Sequence, residues 1–232
     1  FNAMIGGLRW FEHYVPKPLV RRLLEQGESA TEPTDDRNLT VMFTDIVGFS
    51  DFAEGLPASE VAGYLNEHFR IMAACVDETG GTVDKFIGDS IMAFWGAPEK
   101  LKDRAERACR AARLMQERLS VENDRRRKAG EPTMRVRVGI HSGKATVGNI
   151  GAPDRVNYTV VGDMVNVAAR MEQLGKELIK DERDVTVLIS DATRRDLSDD
   201  FAPRSLGFQQ VKGREEPIEV FDLLPPGLPA QG

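Results

Sequence analysis

Apolar residues recur along the chain with two spacings, which separate predicted helices from predicted strands. Apolar side chains three or four residues apart predict helices over residues 8–26, 61–76, 103–129, 163–174 and 191–197. Short apolar or alternating runs predict strands over residues 39–43, 82–86, 90–95, 135–140, 144–147, 157–161, 185–189, 207–211 and 218–223. Gly80-Gly81 is predicted to end the second helix, and Ser142-Gly143 to form a turn between two strands.

The order of these elements predicts an α+β fold. A strand, a helix, a hairpin, a second helix and a further strand are typical of a ferredoxin-like split β-α-β core, with one mixed sheet and helices packed on it. C-terminal strands add to this core, and a helical connector precedes it. We expect a main domain over residues 39–224 and a tail over residues 225–232. Residues 1–38 would hold a cloning remnant before Met4, the connector helix and a polar, acidic linker from residue 28.

Composition removes several classes of function. A hydrophobic fraction of 41% is enough for a core, and a net charge of −6 argues against a duplex nucleic-acid partner. Cys75 and Cys109 lack the spacing of a zinc site or a disulfide framework, so we expect a reducing, cytoplasmic setting. No signal peptide and no apolar run near the ~18 residues of a membrane span is seen, although regions beyond this sequence could attach the protein to a membrane.

Two aspartates carry the first chemical signal. Asp45 and Asp89 each follow an apolar strand, at positions where a core residue would not be polar. An unpaired buried carboxylate is very costly, so each must be solvated, paired or bound to a metal. Two carboxylates meeting at one sheet edge suit magnesium, which takes few protein oxygens together with substrate phosphates. For either residue alone, an ordinary turn aspartate is the alternative.

Four segments resemble known motifs in the same order. They are VMFTDIVGFS at 41–50, GGTVDKFIGDSIMAFWGAP at 80–98, YTVVGDMVNVAARME at 158–172 and VKGREEPIEVF at 211–221. Together they resemble the catalytic domain of class III adenylyl and guanylyl cyclases over residues 39–224. Residues 13–27 are similar to the helical connector that precedes this domain in many bacterial cyclases.

The resemblance implies a site with two divalent metal ions, Mg²⁺ or Mn²⁺. Asp45 and Asp89 would hold the ions, and Ile46 would add its backbone carbonyl. The backbone amides of Gly48 and Phe49 would face the β- and γ-phosphates. One ion would lower the pKa of the ribose 3′-hydroxyl, and the other would neutralise the phosphates and the leaving pyrophosphate.

A helix with polar and apolar faces would complete the catalytic set. Asn166 and Arg170 lie four residues apart and therefore share one helix face, which alone could be an ordinary solvated pair. The resemblance implies that Asn166 orients the ribose and that Arg170 contacts the α-phosphate and stabilises its charge in the transition state. It gives Lys212 a contact with the triphosphate. The opposite face is apolar and is predicted to pack inward through Val165, Ala168, Met171 and Leu174.

Base selection is assigned to Lys85 and Thr159. An ammonium group only donates hydrogen bonds, which suits adenine N1, and a hydroxyl can accept from the adenine amino group. Guanine reverses both edges, and guanylyl cyclases typically place glutamate and cysteine at these positions. Threonine marks a subgroup found largely in bacteria. The discrimination between ATP and GTP therefore depends on a hydroxyl that can donate as well as accept a hydrogen bond.

These residues predict an adenylate cyclase that converts ATP to cyclic AMP and pyrophosphate as a signal-transduction output domain. The family builds each site from two protomers, so one chain with both halves implies a head-to-tail homodimer with two shared sites. An upstream sensor domain is expected in the full-length protein. Two alternatives remain: a guanylate or mixed-specificity cyclase, and a silent cyclase-homology module that only dimerises or senses nucleotide.

Overall fold

The computed structural model describes residues 34–152, 155–211 and 216–225, together with Val20, Leu24 and Arg214. Most of the predicted connector helix, the tail beyond residue 225 and Lys212 lie outside the described residues. None of the helices in the described part of the chain combines the length and the apolar character that crossing a bilayer requires.

The described chain alternates strands and helices in the predicted order. The strands are β1 (Asp35–Ile46), β2 (Thr82–Ile87), β3 (Ser90–Trp95), β4 (Val136–Ala152), β5 (Arg155–Val161), β6 (Val185–Ser190), β7 (Arg204–Gln209) and β8 (Ile218–Asp222). The helices are α1 (Phe49–Ala53), α2 (Ala58–Glu78), α3 (Arg104–Ala129), α4 (Asp163–Leu178) and α5 (Asp191–Arg194), with a 3₁₀ turn at Asp199–Phe201.

One mixed sheet holds all of these strands, so the predicted α+β fold is confirmed. Its order is β2-β3-β1-β4-β6-β8-β7, and β5 pairs with the far half of β4. β1 lies between β3 and β4 and is antiparallel to both, whereas β4 and β6 are parallel. The long β4 therefore pairs with three strands, β1, β5 and β6, and β5 lies outside the linear strand order.

Alternating side chains give the sheet two apolar faces, each covered by different elements. On one face, Met42 of β1 and Val138 of β4 pack against α2 and α3. On the other face, Val41 of β1 packs with Met164 and Ala168 of α4 and with Val160 of β5. The three long helices thus enclose the middle of the sheet and leave its ends open for polar residues.

The predicted turn at Ser142-Gly143 is wrong, because β4 runs through it without a break. Ser142 and Gly143 pair with Thr40 and Leu39 of β1. A side chain at Gly143 would meet the Cβ atom of Met164 at 3.2 Å, so the glycine allows α4 to lie close to the strand. The Ser142 hydroxyl is bonded within the sheet to Thr40 at 2.9 Å. The Ser-Gly pair therefore marks close packing and not a turn.

Several boundaries also differ from the prediction; for example, β7 spans Arg204–Gln209 rather than 207–211. β1 begins at Asp35. Residues 35–38, which we expected in the acidic linker, therefore pair with residues 147 to 144 of β4. The carboxylate of Asp36 also links the two strands, since it accepts a hydrogen bond from the Thr146 hydroxyl at 2.7 Å. Helix α5 ends at Arg194 rather than near residue 197. The hydrophobic pattern could not reveal the polar start of β1, because its pairing satisfies backbone groups and not apolar side chains.

Candidate active site

Asp45 and Asp89 lie side by side at the end of β1. Asp45 is the residue before the last one of β1, and Asp89 is in the turn between β2 and β3. The backbone N–H of Ile46 donates to the Asp89 carboxylate at 3.2 Å, and the hydroxyl of Ser90 donates to Asp45 at 2.9 Å. Burial raises the pKa of Asp89, and the negative charge of Asp45 raises it further. The structure thus brings together the two carboxylates that the sequence singled out.

Arg137 and Glu172 complete this cluster and were missed in the sequence. Arg137 stands opposite Asp45 in the β1–β4 register, and its guanidinium is hydrogen-bonded to the Asp45 carboxylate. It also donates to Glu172 of α4 at 2.6 Å. Burial raises the pKa of Glu172, and the charges of Asp45 and Asp89 raise it further. Asp45 and Glu172 therefore share one guanidinium, and with Asp89 beside them the cluster keeps an excess of negative charge that a divalent cation would relieve.

Gly139 explains how Glu172 reaches the cluster. It lies two residues after Arg137 on β4, and α4 crosses the strand directly above it. A Cβ atom there would stand 2.1 Å from the backbone nitrogen of Glu172 and 2.6 Å from the carbonyl oxygen of Ala168. Only glycine permits this approach, so the helix brings its carboxylate down onto the sheet.

The loop after β1 turns sharply at Gly48. This residue has φ +72°, in the left-handed region that favours glycine, and it precedes α1. The N–H of Val47 donates to the carbonyl oxygen of Arg135 at 2.8 Å, so that amide is used within the fold. Among the described residues, no acceptor faces the amides of Gly48 and Phe49. These two N–H groups are available to an anion beside the carboxylate cluster.

Lys85 of β2 and Thr159 of β5 meet, although their strands do not pair. The Nζ atom of Lys85 lies 3.4 Å from the Thr159 hydroxyl. Asp84, which the sequence did not reveal, accepts a hydrogen bond from the same hydroxyl at 2.9 Å and forms an ion pair with Lys85 at 3.1 Å. Burial raises the pKa of Asp84. The predicted base-reading pair is thus in contact within one chain.

Asn166 and Arg170 lie one turn apart on α4, as the sequence predicted. Asn166 is exposed and Arg170 is half-buried, and neither has a side-chain partner among the described residues. The inward face differs slightly from the prediction, because Val165 and Leu174 only flank it. The buried residues are Met164, Val167, Ala168, Met171, Glu172 and Gly175. The polar pair therefore projects away from the core of the chain.

Other catalytic chemistry is poorly supported. Burial lowers the pKa of both His68 and His141 to about 4, so neither is charged at neutral pH. Burial raises the pKa of Cys75 to about 11 and that of Cys109 to about 12, which removes a nucleophilic thiolate. Within the described ranges no group of three or more His, Cys, Asp or Glu side chains is suited to a metal. A metal at Asp45 and Asp89 would need ligands from backbone and substrate.

Comparisons with known proteins identify the family. Residues 31–224 match the family described as the adenylate and guanylate cyclase catalytic domain. Adenylate cyclase 1 of Rhizobium meliloti is 38% identical over 214 residues, which cover 92% of this chain and 31% of that protein. This chain therefore spans less than a third of the length of that curated relative.

Solved structures with either nucleotide specificity share the fold. The adenylyl cyclase CyaB from P. aeruginosa superposes with a TM-score of 0.74 at 32% identity, covering 87% of this chain and 100% of that one. The guanylyl cyclase Cya2 superposes with a TM-score of 0.73 at 32% identity, covering 84% of this chain and 95% of that one. The backbone matches both about equally well, so the fold alone does not distinguish the two specificities.

Proposed function

Because this chain belongs to the adenylate and guanylate cyclase catalytic domain family, we propose that it converts ATP to 3′,5′-cyclic AMP and pyrophosphate. The convergence of Asp45 and Asp89 at the C-terminal end of β1 carries the proposal. In the reaction, the ribose 3′-oxygen forms a bond to the α-phosphorus and loses its proton. The bond from that phosphorus to the oxygen of the β-phosphate breaks, and pyrophosphate leaves.

The carboxylate cluster fits two divalent cations, Mg²⁺ or Mn²⁺. Asp45, Asp89 and the carbonyl of Ile46 supply few protein oxygens, which suits ions that keep substrate phosphates as ligands. When bound, such ions supply charge neutralisation for the phosphates and acidity for the 3′-hydroxyl. Arg137 holds one oxygen of Asp45 and is itself held by Glu172. These contacts fix the orientation of the Asp45 carboxylate.

Cationic side chains, an asparagine and backbone amides of this chain would bind the phosphates and the ribose. The unpaired amides of Gly48 and Phe49 lie beside the carboxylate cluster and would bind the β- and γ-phosphates. Arg170, a half-buried cation without a described partner, would donate to the α-phosphate as its charge grows in the transition state. Asn166, one turn earlier, would orient the ribose. Lys212 remains assigned to the triphosphate by resemblance alone.

The choice of ATP rests on Lys85. Its ammonium donates to adenine N1 but has nothing to offer the N1–H of guanine. The adjacent Thr159 hydroxyl would accept from the adenine amino group. A guanylate or mixed-specificity cyclase is the second candidate, favoured by the equal likeness to Cya2. The silent alternative has less support, since both aspartates and Arg170 are present.

A head-to-tail homodimer would assemble the site. Asn166 and Arg170 project away from their own core and lack described partners, so they are free to meet a ligand held by a second protomer. Large apolar side chains near the base-reading pair are also exposed, namely Phe86 at 51%, Ile87 at 49% and Val156 at 54%. Exposed apolar residues grouped around one polar pair favour a protein interface. One chain would supply the carboxylates, and its partner would supply the base-reading pair and α4.

The test is an assay of the purified chain with ATP or GTP and with Mg²⁺ or Mn²⁺, in which both cyclic nucleotides are quantified. Cyclic AMP as the main product supports the proposal. Cyclic GMP as the main product would favour the second candidate. Neither product, at a concentration where sedimentation shows a dimer, would leave the silent alternative.

A further inference from the structure

A β-bulge in β2 turns two consecutive side chains toward the same hydroxyl. Neighbouring residues of a regular strand point to opposite faces of a sheet. The pairing of β2 with β3 shifts between Val83 and Lys85, which leaves Asp84 as the extra residue. As a result, Asp84 and Lys85 both contact Thr159. Bulges re-aim side chains in this way near active sites.

We propose that Asp84 is a specificity-positioning residue, which makes the Thr159 hydroxyl act only as an acceptor toward the nucleotide base. The inference rests on the proposed function, in which Lys85 and Thr159 read the base. A hydroxyl has one proton and two lone pairs. An ionised carboxylate only accepts, so the Thr159 proton is committed to Asp84 at 2.9 Å. Only lone pairs then remain for Lys85 and the base.

With this assignment, the Thr159 hydroxyl no longer acts as both donor and acceptor toward the base. With its proton engaged, Thr159 can accept from the amino group of adenine but cannot donate to O6 of guanine. Lys85 is held by the same carboxylate at 3.1 Å, so the donor and the acceptor are fixed together. The three side chains form one polar unit that matches the edge of adenine.

Burial makes the Asp84 bond hard to replace. The side chain of Asp84 is 1% exposed, so water does not compete for the Thr159 proton. Its second oxygen, Oδ1, is buried without a hydrogen-bond partner in the described part of the chain. A buried acceptor without a second donor relies more strongly on the bonds that it has. Burial raises the pKa of Asp84, while the hydrogen bond from Thr159 and the ion pair with Lys85 oppose that rise and favour the charged form.

A matched control exists elsewhere in the chain. Asp36 also accepts from a threonine hydroxyl, that of Thr146 at 2.7 Å, and also pairs with a lysine, Lys144 at 3.3 Å. This second trio joins β1 to β4 and is exposed. Asp36→Ala removes the same kinds of bond from a surface that the proposed function does not use.

The experiment compares kcat/KM for ATP and for GTP in wild type, Asp84→Ala and Asp36→Ala. Freeing the Thr159 proton allows donation to guanine O6, so we expect the ATP/GTP ratio to fall about three- to tenfold in Asp84→Ala. Most of the change should appear in KM. The ratio should not change in Asp36→Ala. In a Thr159→Val background, Asp84→Ala should no longer alter the ratio, because the oriented hydroxyl is gone.

A structural role alone would lower both kcat/KM values together and leave their ratio within about twofold of wild type, which would overturn the inference. If Asp84→Ala does not fold, Asp84→Asn is the variant that tests the inference. Its amide can present either an oxygen or an N–H group to Thr159, so the ratio should fall by a smaller factor, and an unchanged ratio counts against the inference. If wild type makes neither cyclic nucleotide, the proposed function fails. The ratio of ATP and GTP dissociation constants, measured by calorimetry, then tests Asp84 separately.

Discussion

Arg137 stands directly opposite Asp45 in the pairing of β1 with β4, and its guanidinium is bonded to the Asp45 carboxylate. The contact places a permanent cation inside a cluster of acidic groups. Glu172 holds the other side of the guanidinium at 2.6 Å. The chain thus offsets part of the repulsion between its own carboxylates, and the divalent cations that we propose would offset the rest.

Removing this internal cation should make stability more dependent on metal. In Arg137→Ala, Asp45 and Glu172 lose their common partner and repel each other. We expect the metal-free protein to lose about 1–3 kcal/mol of unfolding free energy, a fall of several degrees in Tm. Saturating Mg²⁺ should restore part of the loss, because a divalent cation neutralises the same carboxylates. Calorimetry with and without Mg²⁺ measures both effects.

Arg135→Ala is the control for that change. Arg135 lies two residues earlier, and its side chain pairs only with the exposed Glu182 at 3.7 Å among the described residues. Surface changes of this kind usually stay within about 0.5 kcal/mol. Equal Mg²⁺ stabilisation in wild type, Arg137→Ala and Arg135→Ala would contradict metal binding beside Arg137.

Either Asp45→Asn or Asp89→Asn should abolish cyclase activity in a folded protein. Each change removes a charge from a site whose chemistry is mostly electrostatic, so a loss of at least about a hundredfold in kcat is expected. Asn keeps the shape of Asp, which limits any change in packing. The assay is initial rate at saturating metal, with circular dichroism and sedimentation as checks on folding. Near-normal turnover in either variant would exclude the two-metal assignment.

Two inactive variants should restore each other if each site spans two protomers. A mixed dimer of Asp45→Asn and Arg170→Ala has one site with both lesions and one intact site. Random mixing makes about half of the dimers mixed, so about a quarter of wild-type activity should return. The measurement is activity after mixing, with subunit exchange followed by labelled chains. Exchange without recovered activity would mean that each site is built within one chain.

His68 should weaken the fold in acid. Its ring is buried with both nitrogens unpartnered in the described ranges, and burial lowers its pKa to about 4. The unfolded chain binds this proton near pH 6.5, so stability falls as pH drops from about 6.5 to about 4. His68→Leu removes two unsatisfied polar atoms. It should raise the unfolding free energy at pH 7 by about 1–2 kcal/mol and flatten the acid slope.

The comparison for this prediction is His141→Leu. His141 is equally buried, with a pKa also lowered to about 4, but its Nδ1 atom is bonded to Ser190 at 2.7 Å. Its replacement should destabilise the protein at pH 7, because a hydrogen bond is lost with the ring. Urea titrations at pH 7 and pH 5 give both free energies. Destabilisation by His68→Leu would show that its ring has a partner in solution.

Much of the fold was predictable because apolar periodicity reports burial. The hairpin of β2 and β3, the long helix α3 and helix α4 lie where the spacing placed them. The glycine of Ser142-Gly143 was misinterpreted, since the same residue permits a turn or a close approach of helix and strand. Which of these applies depends on Met164, far along the chain. Local patterns contain no information on that contact.

The candidate site was predictable only in part. Asp45, Asp89, Lys85 and Thr159 stand out in motif-like segments, and the structure brings each pair together. Arg137, Glu172 and Asp84 did not stand out, because charged residues on strands and helices are usually solvated. Their importance depends on the register of β4 with β1, on the close approach of α4 at Gly139 and on a bulge. None of these can be derived from the spacing of residues.

The contact between Lys85 and Thr159 has a consequence for affinity. The Thr159 hydroxyl donates to Asp84 and accepts from Lys85 at 3.4 Å, which leaves it one free lone pair. The Lys85 ammonium uses one N–H for Thr159 and one for Asp84, which leaves it one free donor. One acceptor and one donor are therefore already held in place before a base arrives, so binding adenine would cost little ordering of side chains. A base with the reversed pattern would bury both groups without pairing them, so selection would come from the cost of the wrong base and not from a stronger grip on the right one.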